Sequence, residues 1–239
     1  AILPSAVLST HTAGFTGFTV RGLAGDMPAI RDHWIKEGLK FSAVYTGYLG
    51  STRQIDYVSD IFADAAAEGC VKIVDPAMAD NGKLYSIFDM DYVEAMKTLC
   101  AKADYVLPNI TEASFLTGLP YRETADSVYF EELLDGLMAL GAKAAILTGA
   151  APAGQAGFYG RVNNKTFSHT AALQPGCHGT GDLFAAAFTG ALMAYNDIPR
   201  AAVLAARFVE KALSLTQEKT PFGVEFEKAL PWLCQQTQS

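Results

Sequence analysis

The hydrophobic pattern of this chain alternates between two periods. Short apolar runs at residues 5–9, 41–48, 71–75, 105–107 and 144–147 predict strands. Between them lie longer segments whose apolar residues recur at helical spacing. Asp26 can cap a helix carrying Ile30, Trp34, Ile35 and Leu39, and Ser51 can cap one that puts Ile55, Val58, Ile61, Phe62 and Ala65 on a single face. Further helices are predicted at 89–102, 131–140, 182–195 and 201–217, with a last one carrying Phe226, Leu230 and Trp232. Residues 10–19 form a loop rich in Thr and Gly, and residues 155–167 suggest a hairpin around Asn163 and Asn164. No repeat, low-complexity tract or linker interrupts the series. The expectation is one α/β domain over residues 1–239, with a mostly parallel sheet covered by helices on both faces.

Composition narrows the function classes. The chain has 239 residues, half of them hydrophobic, enough for one buried core. A formal charge of -7 without basic runs argues against nucleic acid or anionic membrane as main partner. The four cysteines, Cys70, Cys100, Cys177 and Cys234, are scattered, so neither a zinc site nor a disulfide framework is signalled and a reducing cytoplasm is the expected location. No apolar run has transmembrane length. The opening Ala1-Ile2-Leu3-Pro4 reads as mid-domain sequence, so an N-terminal piece is expected to be missing.

In sheets of this kind ligands bind beyond the carboxyl ends of the strands. Polar residues stand there after five successive strands: Ser9 to Thr12, Thr46 to Tyr48, Asp75-Pro76, Pro108-Asn109 and Thr148-Gly149. Each alone could be an ordinary strand stop. The densest segment is Gly176-Cys177-His178-Gly179-Thr180-Gly181-Asp182, which runs into an apolar helix. Small residues let the backbone approach a ligand, and free amides at a helix start face an anion. A carboxylate in that first turn can take a proton from an attacking hydroxyl. Taken by itself, the segment reads better as a glycine turn with an N-terminal capping Asp.

Several segments together resemble one family. His178 to Phe184 resembles the C-terminal signature of the ribokinase superfamily in the form found in pyridoxal and pyridoxamine kinases. Residues 75–85 resemble that family's D-P-V-M-G-D-x-G-x-x-Y stretch, residues 107–112 its T-P-N-x-x-E motif, Ser9 to Thr12 its S-N-H-T loop, Thr46 to Tyr48 its T-G-Y, and residues 222–227 its Y-G-V-N-F-E. The resemblance implies a ribokinase-like three-layer sandwich that phosphorylates the 5′-hydroxymethyl group of a vitamin B6 compound with ATP. Asp182 would then be the general base, with Gly179, Thr180 and Gly181 the anion hole. Asn109 and Glu112 would organise Mg²⁺ and its waters. Asp80, Tyr85, Asn109 and Thr148 would lie along ATP, while His11, Thr12 and Tyr48 would face the pyridine ring. A potassium ion near the nucleotide and a homodimer are common in that family.

The chain departs from the pattern in places. Leu107 replaces a Thr that contacts ATP, and Ala77 and Ala79 replace Val and Gly. The family's first strand, with its glycine turn and a substrate-touching serine, is missing, which would leave an exposed apolar slot in the sheet. Asp182 distinguishes the chain from the related hydroxymethylpyrimidine kinases, which carry Cys at that position. The pair Cys177-His178 is not a credible nucleophile and base, His169 reads as a surface residue, and Asp56, Asp60 and Asp64 read as a solvated face. Three readings stay open: a B6 kinase, another small-molecule kinase of the same fold (for hydroxymethylpyrimidine or a sugar), and a non-catalytic vitamer- or nucleotide-binding protein.

Overall fold

A computed structural model describes residues 1–11, 15–172, 177–216 and 222–237. Its centre is a six-stranded sheet. The strands are β3 (Phe41–Thr46), β4 (Ala66–Val74), β7 (Tyr105–Val106), β8 (Ala144–Thr148), β9 (Gln155–Val162) and β10 (Lys165–Ala172), in the spatial order β10-β9-β8-β7-β4-β3. The four from β3 to β8 are parallel neighbours, and the β9–β10 hairpin adds two antiparallel strands beyond β8. Two small sheets lie outside it: β1 (Ala6–Leu8) with β2 (Val20–Gly22), and β5 (Ala79–Asp80) with β6 (Lys83–Leu84).

Alternation along each strand sorts the core into two layers. Val44, Val74, Val106, Ala145 and Leu147 face one side. There they meet α1 (Met27–Lys36), α2 (Thr52–Asp64), α3 (Met90–Cys100), α4 (Ile110–Thr117) and α5 (Ser127–Ala139). Tyr45, Ile73, Leu107, Ile146 and Phe158 face the other side and meet α6 (Thr180–Tyr195), α7 (Ile198–Leu215) and a one-turn 3₁₀ helix (Phe226–Ala229). A short helix α8 (Leu230–Thr237) follows. With the period of two along a strand, one sequence serves both layers, which is the three-layer sandwich that the motifs implied.

The element ends follow local chemistry. Side-chain oxygens of Ser51, Asp89, Asn109, Asp126 and Asp197 cap α2, α3, α4, α5 and α7. Asn163 and Asn164 take positive φ angles of 50° and 60°, as the two-residue turn of a hairpin requires.

Several expected boundaries move. Asp26 starts α1 without a side-chain hydrogen bond, and the helix ends at Lys36, leaving Leu39 exposed beyond it. Strand β3 stops at Thr46, so Tyr48 lies in the following loop. Strand β4 begins at Ala66, before a bulge in its pairing with β3. The predicted loop 10–19 is followed by a strand, β2, and α4, β5 and β6 were not expected. Of the predicted last long helix, Gln217 lies outside the described residues.

Candidate active site

The parallel strands deliver their carboxyl ends to one edge of the sheet. Asp75 follows β4 and donates its N–H to the Thr46 carbonyl at the end of β3 (3.0 Å). Asn109 follows β7 and forms a parallel bridge with Thr148, the last residue of β8. Thr148 donates its N–H to the Pro108 carbonyl (2.9 Å). Four chain segments far apart in sequence are thus stitched side by side.

Asn109 and Glu112 form a closed network at the start of α4. Asn109 Oδ1 accepts from the Glu112 N–H (2.9 Å) and Glu112 Oε2 accepts from the Asn109 N–H (2.9 Å), a complete capping box. Glu112 Oε1 also accepts from the Met78 N–H (2.9 Å), while Asn109 Nδ2 donates to the Ala79 carbonyl (2.8 Å). Glu112 is 3% exposed. Burial raises its pKa to about 7, against the pull of the backbone donors. The network fixes the loop from Asp75 to Asp80, in which Ala77 holds a positive φ of 42°. Asp80 is exposed and folds its carboxylate onto Asn81, whose N–H and side-chain amide it accepts at 2.9 Å each. Asn81 and Gly82 make the positive-φ turn from β5 to β6, and the Gly82 N–H is held by Thr111 Oγ1 (3.0 Å).

Asp75 is buried, accepts from the Ala77 N–H (3.2 Å) and acts electrostatically on the Tyr45 phenol beside it. Its pKa lies well above the carboxylate range, through burial first and then through Glu112 and Asp182. Tyr85, across from these groups, is pushed up to about 12 by burial and by Glu112, Asp80, Asp75 and Asp182 in turn. Asp75, Asp80, Glu112 and Asp182 thus all act on the Tyr85 phenol. Asp75 and Tyr45 had received no role from the sequence. The strand-end position of Asp75 was visible, but the face on which Tyr45 lies becomes decisive only once β3 is placed next to β4.

The start of α6 is built differently. Gly179, at the N-cap, has φ +88°, and no side chain caps it. Leu183 N–H bonds the Gly179 carbonyl (3.0 Å), so the amides before it have no partner within the helix. Asp182 is in this first turn and exposed, and the surrounding protein raises its pKa by desolvation. The His11 ring lies 5.3 Å from that of His178, centroid to centroid, which brings the arm leading into residues 12–14 beside the glycine turn. Thr12 lies outside the described residues.

Tyr48 is half-buried at the end of an aromatic row. Its ring is 6.0 Å from Phe88, which stacks on Tyr92 at 3.8 Å. Tyr92 in turn donates its hydroxyl to the Leu49 carbonyl (2.6 Å), and Ser5 Oγ donates to the Tyr48 carbonyl (2.7 Å). The loop after β3 is thereby pinned from both sides, leaving a phenol ring at the rim.

Comparison with known proteins decides the family. The model for phosphomethylpyrimidine kinases matches residues 30–227. The chain belongs to the phosphomethylpyrimidine kinase family. A candidate phosphomethylpyrimidine kinase from Bacteroides thetaiotaomicron VPI-5482, solved with pyridoxal, is 34% identical with a TM-score of 0.90, over 97% of this chain and 84% of that one. The pyridoxal kinase of Lactobacillus plantarum is 31% identical with a TM-score of 0.89, over 99% of this chain and 86% of that one. The pyridoxal kinase of Dictyostelium discoideum is 31% identical over 111 residues, 45% of this chain and 35% of that protein, so this match spans about a third of its length. The α/β fold with its six-stranded, mostly parallel sheet is that of the pyridoxal kinase structures. Among the described residues of this phosphomethylpyrimidine kinase family member, no helix is long and apolar enough to cross a membrane.

Proposed function

We propose that the protein transfers the terminal phosphoryl group of ATP to the hydroxymethyl group of a vitamin B6 compound. One observation carries this reading: a carboxylate, Asp182, stands in the first turn of a helix whose start has no side-chain cap. Phosphoryl transfer asks little covalent chemistry of a protein and much positioning and charge stabilisation. The amides of Gly179, Thr180 and Gly181 face the transferring group with the positive end of the helix dipole behind them. Asp182 accepts the alcohol proton as the oxygen attacks. Its raised pKa brings it nearer the operating pH, which suits a general base. Asp80, Tyr85, Asn109 and Thr148 line the nucleotide side, while His11 and Tyr48 flank the ring side.

The residues also fit a hydrated Mg²⁺. Glu112 and Asp182 both act on Asp75, and a hydrated cation near them would ease that repulsion. Both oxygens of Glu112 already accept backbone N–H groups, so Glu112 and Asn109 would hold the ion through its waters, which Mg²⁺ readily keeps. When bound, the ion would neutralise phosphate charge.

For the ring, the pyridoxal in the Bacteroides relative supports a B6 vitamer, and the aromatic rim at Tyr48 suits a flat heterocycle. The family's name favours a second acceptor, hydroxymethylpyrimidine, which presents the same primary alcohol on a flat ring. An ATP-consumption assay across pyridoxal, pyridoxine, pyridoxamine and hydroxymethylpyrimidine tests the proposal. Turnover with a B6 vitamer upholds it, turnover with the pyrimidine alone replaces the acceptor, and binding without turnover makes the protein a sensor.

A further inference from the structure

The carbonyl of His178 is held from outside its own segment. Val224 donates its N–H to that oxygen at 3.2 Å. Gly223, with φ +94°, approaches the same group so closely that a Cβ there would lie 2.8 Å from the oxygen and 3.6 Å from the carbonyl carbon. Only a residue without a side chain fits at that distance and in that backbone region. The far side of this contact is anchored. Val224 is partly buried against the core beneath α6 and α7, its carbonyl accepts from the Phe226 N–H (3.0 Å), and the Glu225 N–H donates to Thr216 Oγ1 (3.1 Å) at the end of α7. Aromatic rings close the near side: Phe15 is 5.1 Å from His11 and 5.6 Å from Phe222.

The His178 carbonyl and the Gly179 N–H belong to one peptide unit. A peptide unit is planar and trans, so its C=O and N–H point in opposite directions. Fixing the carbonyl on Val224 therefore fixes the direction of the Gly179 N–H. No side-chain cap at Gly179 could do this instead. We infer that Gly223 and Val224 are positioning residues for phosphoryl transfer, which hold the peptide between His178 and Gly179 so that its N–H is aimed at the transferring group. This rests on the kinase reading above. It adds that the anion hole is set by a segment 46 positions downstream of it in sequence (224 against 178). The two segments meet backbone to backbone, so no side-chain pattern announces the link.

The test uses two variants of the full chain, Gly223→Ala, which pushes the carbonyl away, and Val224→Pro, which deletes the N–H. A displacement of about 1 Å in a transfer site can cost on the order of a hundredfold. Both variants should lose roughly that much kcat, with acceptor KM and calorimetric ATP affinity within about twofold of the parent. A structural role would instead lower Tm or raise KM and leave kcat. Thermal melts identify a variant that does not fold, and the other then decides. If kcat is retained in a folded variant, or the loss lies wholly in KM, the inference is overturned. Failure of the B6 reading shows separately, as a parent protein inactive on vitamers. The same kcat comparison is then made with hydroxymethylpyrimidine, or on ATP hydrolysis without acceptor, and a loss confined to the variants still supports the inference.

Discussion

Two helices start at the edge of the same cleft, each with an acidic residue in its first turn, and they use that residue in opposite ways. At α4 the acid closes the helix start. Glu112 and Asn109 exchange hydrogen bonds with each other's backbone and reach across to Met78 and Ala79, so the Asn109 and Glu112 N–H groups there are satisfied. At α6 the acid leaves the start open. Gly179 supplies no cap, and Asp182 is exposed. Burial follows the same division, since Glu112 is sealed. A helix start can thus be spent on holding a scaffold or kept for a ligand, and a carboxylate in its first turn does not say which.

The sharpest way to break the comparison is to neutralise each acid in turn. Asp182→Asn should lower kcat by about 10²–10⁴-fold, the usual worth of a general base, because an amide cannot take the proton. Its melting temperature should hardly move, since Asp182 is exposed and is not the cap of its helix. Steady-state kinetics and a thermal melt read both; near-normal kcat would sink the catalytic assignment.

Glu112→Gln should do the reverse. A Gln side chain presents one acceptor and one NH₂, so either Met78 or Asn109 is left with a buried, unpaired N–H. That costs about 1–3 kcal/mol, visible as an earlier urea midpoint. Titrating activity against Mg²⁺ sharpens the point. A shifted half-maximal concentration would show that Glu112 also serves the ion, and an unchanged one would confine it to the scaffold.

Tyr48→Ala should raise KM for a B6 vitamer several-fold more than KM for ATP. Loss of an aromatic contact is worth on the order of 1 kcal/mol, about fivefold. Equal increases for both substrates would mean that Tyr48 supports the loop alone.

The smallest effect concerns pH. Asp75, Glu112 and Asp182 all have folded pKa values raised above their ordinary ones. The native state then binds protons more tightly than the unfolded chain, so their contribution is complete below the ordinary carboxylate range. It is lost as pH rises through the raised values, Glu112 at about 7 among them. Without ligands, melting temperature should therefore fall from mildly acidic to neutral pH. Asp75→Asn, which keeps an acceptor for Ala77, should flatten the fall. An unaltered slope would show that Asp75 is not part of the repelling set.

The sequence revealed those parts of the molecule that rest on local pattern. The buried runs of β4 and β8, the Asn163-Asn164 turn and the glycine-rich start of α6 could all be read directly. Helix α4 could not, because its buried face includes Thr111, Glu112 and Ser114, and no apolar stripe marks it. Its signal was Asn109 followed three residues later by Glu112, a capping box that had been read as chemistry alone. The β5–β6 hairpin has strands of two residues each, and only Asn81-Gly82 announced it. In the cleft, His11, Asp182 and Glu112 were found as residues, but the pairing of Tyr45 with Asp75 depends on which strands lie side by side. That is settled by the sheet order and not by any spacing within one segment.

The bond from Val224 to His178 also dictates when the turn at Gly179 can be fixed. The strand ends carrying Asp75, Asn109 and Thr148 all precede α6 in sequence, whereas the peptide between His178 and Gly179 is clamped by residues that follow α7. During synthesis the parallel strands from β3 to β8 can pair, and α4 can close its capping box, while α6 and the Gly223 region are still unmade. An emerging chain can therefore carry the paired strands before the turn at Gly179 is fixed, and that turn is fixed only after Val224 has left the ribosome. Long-range closure of this kind slows folding, and here it makes the turn before α6 one of the later features to settle.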